Sequence, residues 1–284
     1  MPDHQHAPTP LIGTAKLQEM LETGTRYLVR ELPEGEMYAH FSVPADFDPT
    51  RARLPAVVFL HGGLWDLSMP VQFLPHCHHF ASRGVIAITA EYRCRDKFGG
   101  GPLEAIEDVK EVMVWLRRYA EHFGIDPERI TLAGAASGGH AALCTTLDSP
   151  EDGGISARPN ALVLFGPVSN TSPRGGLFSD HFPSPRSARA ASPVRRLPQK
   201  HLPPCLVLHG TQNRVVPYDQ SVKLVKLYKK RRNHCELMEF TGQGHTFFNY
   251  NTGDQNYEIT LRAVDHFLVT QGLMEADPYA NLVQ

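Results

Sequence analysis

The chain is 284 residues long, 42% hydrophobic and 20% charged, with 28 basic side chains against 30 acidic ones. That balance provides no field to draw in nucleic acid or an anionic membrane, and no apolar run is long enough to span a bilayer. The size suits one core, so a single domain over residues 1–284 is expected, with a polar lead over about 1–30.

Within the lead, Met1 to Pro10 lack the hydrophobic stretch of a signal peptide, which predicts a cytoplasmic location. A turn at Leu32-Pro33-Glu34-Gly35 then opens an alternating segment from Glu36 to Val43. Met37, Ala39, Phe41 and Val43 share one face, as in an early antiparallel strand. Pro55 to Leu60 and Gly84 to Ala90 are continuous apolar runs, the pattern of strands covered on both faces. Between them, His76-Cys77-His78-His79 follows Pro75 in a predicted helix. Adjacent helical residues splay apart, so the cluster is not expected to share a metal.

Pro102 to Phe123 has helical spacing, with Ile106, Val109, Val112, Met113, Leu116 and Tyr119 on one stripe and Gly124 closing it. Asp126-Pro127-Glu128-Arg129 reads as a turn feeding the strand Ile130 to Ala133, and a small-residue helix follows from Gly138 to Leu147. Asn160 to Phe165 and Cys205 to His209 are further strands. The long Gly/Pro/Ser-rich stretch between them, Gly166 to Pro204, predicts a lid-like insertion, least regular over Gly175 to Ser192. A helix over Asp219 to Arg232, a strand over Cys235 to Phe240, a loop to Asn251 and a helix over Tyr257 to Gln271 complete an α/β pattern with a mostly parallel, helix-flanked sheet.

The five cysteines, Cys77, Cys94, Cys144, Cys205 and Cys235, are odd in number and widely spaced, which predicts reduced thiols without a zinc site. No metal or cofactor is expected.

The chemistry concentrates at three turns. Ile130 to His140 reads Ile-Thr-Leu-Ala-Gly-Ala-Ala-Ser-Gly-Gly-His, a strand-to-helix bend of the kind that lifts a nucleophile above a sheet. Small residues are needed two before and two after the apex, because the backbone crowds itself there. Gly134 and Gly138 supply that spacing around Ala136. A shifted frame, Ala135-x-Ser137-x-Gly139, puts a serine at the apex instead, and both frames stand on spacing alone.

His61-Gly62-Gly63-Leu64-Trp65 ends a buried strand and can turn the amides of Gly62, Gly63 and Leu64 toward a developing oxyanion, joined by the amide of Ser137. Gly242-Gln243-Gly244-His245 follows the last strand and can carry an imidazole over the nucleophile as general base. The acid belongs after the strand ending at His209, and the residue in that place is Asn213. Asp219, past Pro217, suits a helix cap better. Trp65, Phe247 and Phe248 are candidate walls of an acyl or sugar-stacking pocket.

With these residues in place, the chain resembles the α/β-hydrolase superfamily, in particular small esterases of the acetyl-xylan/feruloyl esterase and hormone-sensitive-lipase-like type. The resemblance covers roughly Leu54 to Gly272. It is carried by His61-Gly62-Gly63, Glu91-Tyr92-Arg93, Gly124-Ile125-Asp126-Pro127, Gly134 to His140, His209-Gly210-Thr211, Val216-Pro217 and Gly242 to His245. It implies the α/β-hydrolase fold, and aligning Gly138-Gly139-His140 with the family's Gly-Gly-His sets the nucleophile at Ala136, the acid at Asn213 and the base at His245. The implied partner is a small ester, with short acyl groups, including acetyl on carbohydrate, as the substrate class. Three readings follow: an ester hydrolase interrupted at Ala136, a natural ligand-binding relative without catalysis, or an active esterase using Ser137. Homo-oligomerisation is left open.

Overall fold

The computed structural model describes residues 14–148, 154–174, 177–250, 252 and 254–277. In chain order its elements are α1 (Thr14–Thr23), β1 (Thr25–Leu32), β2 (Gly35–Ser42), β3 (Leu54–Leu60), α2 (Leu74–Ser82), β4 (Ile86–Ala90), α3 (Arg95–Phe98), α4 (Pro102–Arg118), β5 (Ile125–Ala135), α5 (Ala136–Leu147), β6 (Ala161–Phe165), α6 (Pro185–Ala190), α7 (Pro193–Arg196), β7 (Cys205–Gly210), α8 (Tyr218–Lys229), β8 (Cys235–Phe240) and α9 (Asp254–Thr270). Eight strands form one sheet in the order β1-β2-β4-β3-β5-β6-β7-β8. The pairs β1/β2 and β2/β4 are antiparallel, and every pair from β4/β3 to β7/β8 is parallel.

This is the α/β-hydrolase architecture read from the sequence, with local differences that have physical causes. Part of the polar lead joins the sheet, because β1 pairs with β2 across the predicted turn, from Thr25↔Phe41 to Leu32↔Gly35. As an edge strand, β1 is largely exposed, so its sequence shows no apolar face to betray it. Residues 1–13 of the lead lie outside the described residues. Met37, Ala39 and Phe41 are buried as expected, whereas Val43 lies beyond the strand and is exposed. Tyr119 is likewise exposed, since α4 ends one residue before it. The predicted turn at Asp126–Arg129 is an irregularity inside β5: the register with β3 jumps from Leu54↔Ile125 to Ala56↔Ile130.

Alternate strand residues feed opposite layers. Ala56, Val58 and Leu60 face a core shared with α4, α5 and α8, and Val57 and Phe59 face one shared with α2 and α9. In α2, the buried His76 sits among the rings of Phe59, Phe73, Phe165 and Tyr257, while His79 reaches Asp265 at 3.2 Å. The two histidines thus serve different neighbours.

The segment between β6 and β7 contains a 3-10 turn at Ser179–His181 followed by α6 and α7. Phe178, His181 and Phe182 of this segment surround the Trp65 indole at ring-centre distances of 6.3, 5.3 and 5.9 Å. Residues 175 and 176 lie outside the described residues.

One buried charge fastens the sheet to α4. Asp108 is fully buried, and its carboxylate accepts from the Arg93 backbone amide at 2.9 Å, from the Arg93 guanidinium at 2.9 to 3.1 Å and from Arg30 at 3.2 Å. Asp108→Ala leaves the Arg93 amide without its acceptor and the Arg93 guanidinium with only its 3.3 Å contact to Glu107. Urea titration is expected to show a loss of about 3–5 kcal/mol, and a loss below about 1 kcal/mol would contradict this account.

Candidate active site

The bend between β5 and α5 selects one of the two reading frames. Ala135 is extended at φ −105°, and Ala136 takes the left-handed conformation at φ +45°. A non-glycine residue there is disfavoured by about 1–2 kcal/mol, so the surroundings must hold it. A Cβ on Gly134 would come within 2.6 Å of the Gly138 carbonyl carbon, and one on Gly138 within 2.4 Å of the His61 carbonyl oxygen. The two glycines therefore let strand, helix and the loop after β3 meet. Ala136 is the apex, and its methyl group faces the position of a Gly62 Cβ at 3.8 Å.

Ser137, the alternative nucleophile, follows the apex as a buried residue of α5. Its hydroxyl is completely buried without a well-formed hydrogen bond, against the Tyr92 phenol. That phenol donates instead to the His61 carbonyl at 2.6 Å, and burial raises its pKa well above the ordinary tyrosine value. The Ser137 amide lies in the first turn of α5, where helical N–H groups lack intrahelical partners and the helix dipole favours negative charge.

After β3 the backbone runs through left-handed conformations at Gly63, Leu64 and Trp65, with φ of +110°, +52° and +63°. Asp66 and Leu67 amides close the turn onto the Gly63 carbonyl. Of the four amides expected to face an oxyanion, that of Gly62 is already engaged: it donates to the Gln72 side-chain carbonyl at 2.7 Å. Gln72 in turn donates to Asn249 at 3.1 Å, linking this loop to the segment after β8.

The loops after β7 and β8 are also stitched together. A Cβ on Gly210 would lie 2.4 Å from the Gln243 carbonyl oxygen, so glycine admits that close approach. Gln212 donates to Gln243 at 2.9 Å, and the Gly242 amide to the Thr211 hydroxyl at 2.9 Å. His245 is thereby brought to Asn213, with its Nδ1 3.1 Å from Asn213 Oδ1. The backbone amides of Val215 and Val216 also donate to that oxygen, at 3.0 and 2.9 Å. Backbone N–H groups can only donate, so the amide oxygen must face them. It follows that His245 carries its proton on Nδ1 and presents Nε2 as a base. Burial, then the neighbouring His209, lower the His245 pKa to about 4, which leaves the ring neutral at pH 7.

The three aromatic residues proposed as pocket walls are core residues. Trp65 is 1% exposed and enclosed by His140 and the β6–β7 segment. Phe247 packs on Phe240 with ring centres 4.4 Å apart, and Phe248 packs on Phe165 at 4.8 Å and Phe73 at 5.7 Å. Rings beside a loop of this kind look alike in sequence whether they face a ligand or the core.

Among solved structures, the apo form of Thermogutta terrifontis esterase 2 is 33% identical, covers 90% of this chain and 98% of its own, and superposes with a TM-score of 0.83. The chain belongs to the α/β-hydrolase esterases. A butyrate-bound form of the same esterase matches at 32% identity and a TM-score of 0.81, over 90% of this chain and 97% of that one. The BD-FAE family model matches residues 47–155, which include the loop after β3 and the elbow. Esterase LipC of Mycobacterium tuberculosis is 26% identical over 68% of this chain and 53% of its own length. A probable isoprenylcysteine alpha-carbonyl methylesterase of Arabidopsis thaliana is 24% identical over 68% and 45%. The chain thus spans about half the length of these two curated relatives.

Two residues of this esterase-family site make contacts that no local sequence pattern shows. Gln72 is ten positions beyond the glycine it holds, in a 3-10 turn at Pro70–Phe73. Tyr92 stands in the Glu91-Tyr92-Arg93 run after β4, and its hydroxyl and its ring, stacked on His61 at 4.4 Å, brace the loop after β3. Among the described residues no group of three or more His, Cys, Asp or Glu side chains gathers to hold a metal, and no helix is long and apolar enough to cross a membrane.

Proposed function

We propose that this chain carries a carboxylesterase-type site for short acyl esters that lacks its attacking group, so that it binds such esters or their carboxylates without cleaving them. The observation that carries this reading is Ala136 at φ +45° between Gly134 and Gly138, with His245 held neutral on Asn213 in the loop after β8. A hydroxyl on the residue at that apex would attack the acyl carbon and lose its proton to His245 Nε2. The carbonyl oxygen, now negative, would accept from the amides of Gly63, Leu64 and Ser137. Collapse would expel the alcohol with the proton from His245, and water would release the acid by the same route. The short acyl range is supported by the butyrate- and propionate-bound forms of the Thermogutta esterase. Acetyl groups on carbohydrate rest on the family resemblance alone.

A covalent probe tests the assignment without requiring turnover. The Thermogutta esterase is phosphorylated by paraoxon. Ala136→Ser is expected to attack the same phosphorus, expel p-nitrophenolate and give a single diethylphosphoryl adduct at position 136, read by peptide mass mapping. The chain with Ala136 is expected to stay unlabelled. An adduct on Ser137 in that chain would overturn the assignment and favour the shifted frame.

A further inference from the structure

His209 lies on the opposite side of Asn213 from His245. Its Nε2 is 3.1 Å from Asn213 Nδ2 and 2.9 Å from the Val216 carbonyl oxygen, while its Nδ1 is 2.6 Å from the Ser221 hydroxyl. The ring is fully buried. Space for it and for residue 213 comes from Gly166, at φ +50°, where a Cβ would lie 3.1 Å from Asn213 Nδ2 and 3.8 Å from the imidazole. These contacts conflict. An unprotonated Nε2 suits the donating amide but sets its lone pair against the Val216 oxygen; a protonated Nε2 suits Val216 but meets the amide hydrogens. A carboxylate oxygen in place of Nδ2 removes the conflict, because one Nε2–H can then donate to both neighbours while Nδ1 accepts from Ser221.

Residue 213 is therefore ringed by four nitrogens, the N–H donors of Val215 and Val216 and the imidazole nitrogens of His245 and His209, each able to donate to an oxygen, a set matched to a carboxylate. We propose that His209 is a positioning residue of this site, gripping residue 213 through Nε2–H so that its other oxygen stays on His245, and that Asn213 is a misfit in a carboxylate cradle. The inference rests on the esterase reading for its functional meaning, but its geometry is measurable without catalysis.

Three arms test it. In the chain retaining Ala136, Asn213→Asp is expected to raise the melting temperature by about 2–4 °C. In the same chain, nitrogen-15 NMR of the imidazoles is expected to show His209 protonated on Nε2. Adding His209→Leu should abolish the thermal gain, and His209→Gln, whose amide can donate, should restore part of it. In the Ala136→Ser/Asn213→Asp chain, His209→Leu should lower kcat roughly tenfold or more with KM little changed, with partial recovery in His209→Gln. A lower melting temperature for Asn213→Asp, or a His209 that stays protonated on Nδ1 alone, overturns the proposal. Inactivity of the serine-bearing chain would count against the esterase reading and leave the thermal and NMR arms standing.

Discussion

Ala136→Ser is expected to turn the chain from inert to hydrolytic toward p-nitrophenyl acetate and butyrate. Loss of a catalytic serine in a comparable array costs on the order of 10⁶ in kcat, and an array retaining its oxyanion donors keeps only a small remainder. Restoring the hydroxyl here should recover a gain of about 10³ or more, even with Asn213 in place. Exchange of the acid for asparagine costs a well-studied serine protease about 10⁴, largely through the wrong histidine tautomer. That part of the loss is absent here, since Val215 and Val216 amides fix Asn213 Oδ1 toward His245. What is missing is the negative charge that stabilises imidazolium in the transition state. Asn213→Asp in the serine-bearing chain should therefore add about 10²-fold, equivalent to roughly 3 kcal/mol, and should add nothing in the chain with Ala136. Initial rates of the four combinations measure this directly. A serine-bearing chain indistinguishable from the Ala136 chain would leave a ligand-binding role without latent catalysis.

A steep loss of folding stability on acidification is the second large effect. Burial lowers the pKa values of His61, His140 and His245 to about 4 and that of His76 to about 3, against about 6.5 in an unfolded chain. Between these limits the unfolded chain takes up protons that the folded one refuses. Stability is thus fully present above pH 6.5 and is lost as the pH falls toward 4. Each such histidine contributes a slope of at most about 1.4 kcal/mol per pH unit, so His61, His76 and His140, the three fully buried ones, give on the order of 4 kcal/mol per pH unit and about 8 kcal/mol over the two units below pH 6.5. Against a typical total of about 5–15 kcal/mol, that is enough to unfold the chain near pH 4–5. Urea midpoints followed by circular dichroism from pH 7 to 4.5 should fall accordingly. His76→Phe, which keeps an aromatic ring among Phe59, Phe73, Phe165 and Tyr257, should reduce the slope by about a third. Midpoints independent of pH would refute the buried neutral histidines.

The architecture was legible because each layer leaves a periodic trace. Doubly covered strands such as Val57-Val58-Phe59-Leu60 are uninterrupted apolar runs, and α4 shows its stripe at helical spacing. The edge strand β1 was not legible, since solvent on most of its residues imposes no pattern. At the elbow, two overlapping frames of small residues, Gly134 to Gly138 and Ala135 to Gly139, set Ala136 or Ser137 at the apex; spacing alone does not choose between them, and only the resemblance to the family's Gly-Gly-His points to Ala136. The choice lies in a single φ angle at Ala136 and in the burial of Ser137 against Tyr92, both set by how α5 abuts the loop after β3.

Short-range chemistry written along the chain was therefore enough to name the turns, the alanine and asparagine in unexpected places, and His245. Contacts between distant segments resolved the rest: Gln72 occupying the Gly62 amide, His209 closing on residue 213, and three aromatic rings sinking into the core. Such contacts depend on which loops a parallel sheet brings to one end, and sequence separation conceals that proximity. Gln72 and Asn249 meet across 177 positions, and no local pattern in either segment records the other.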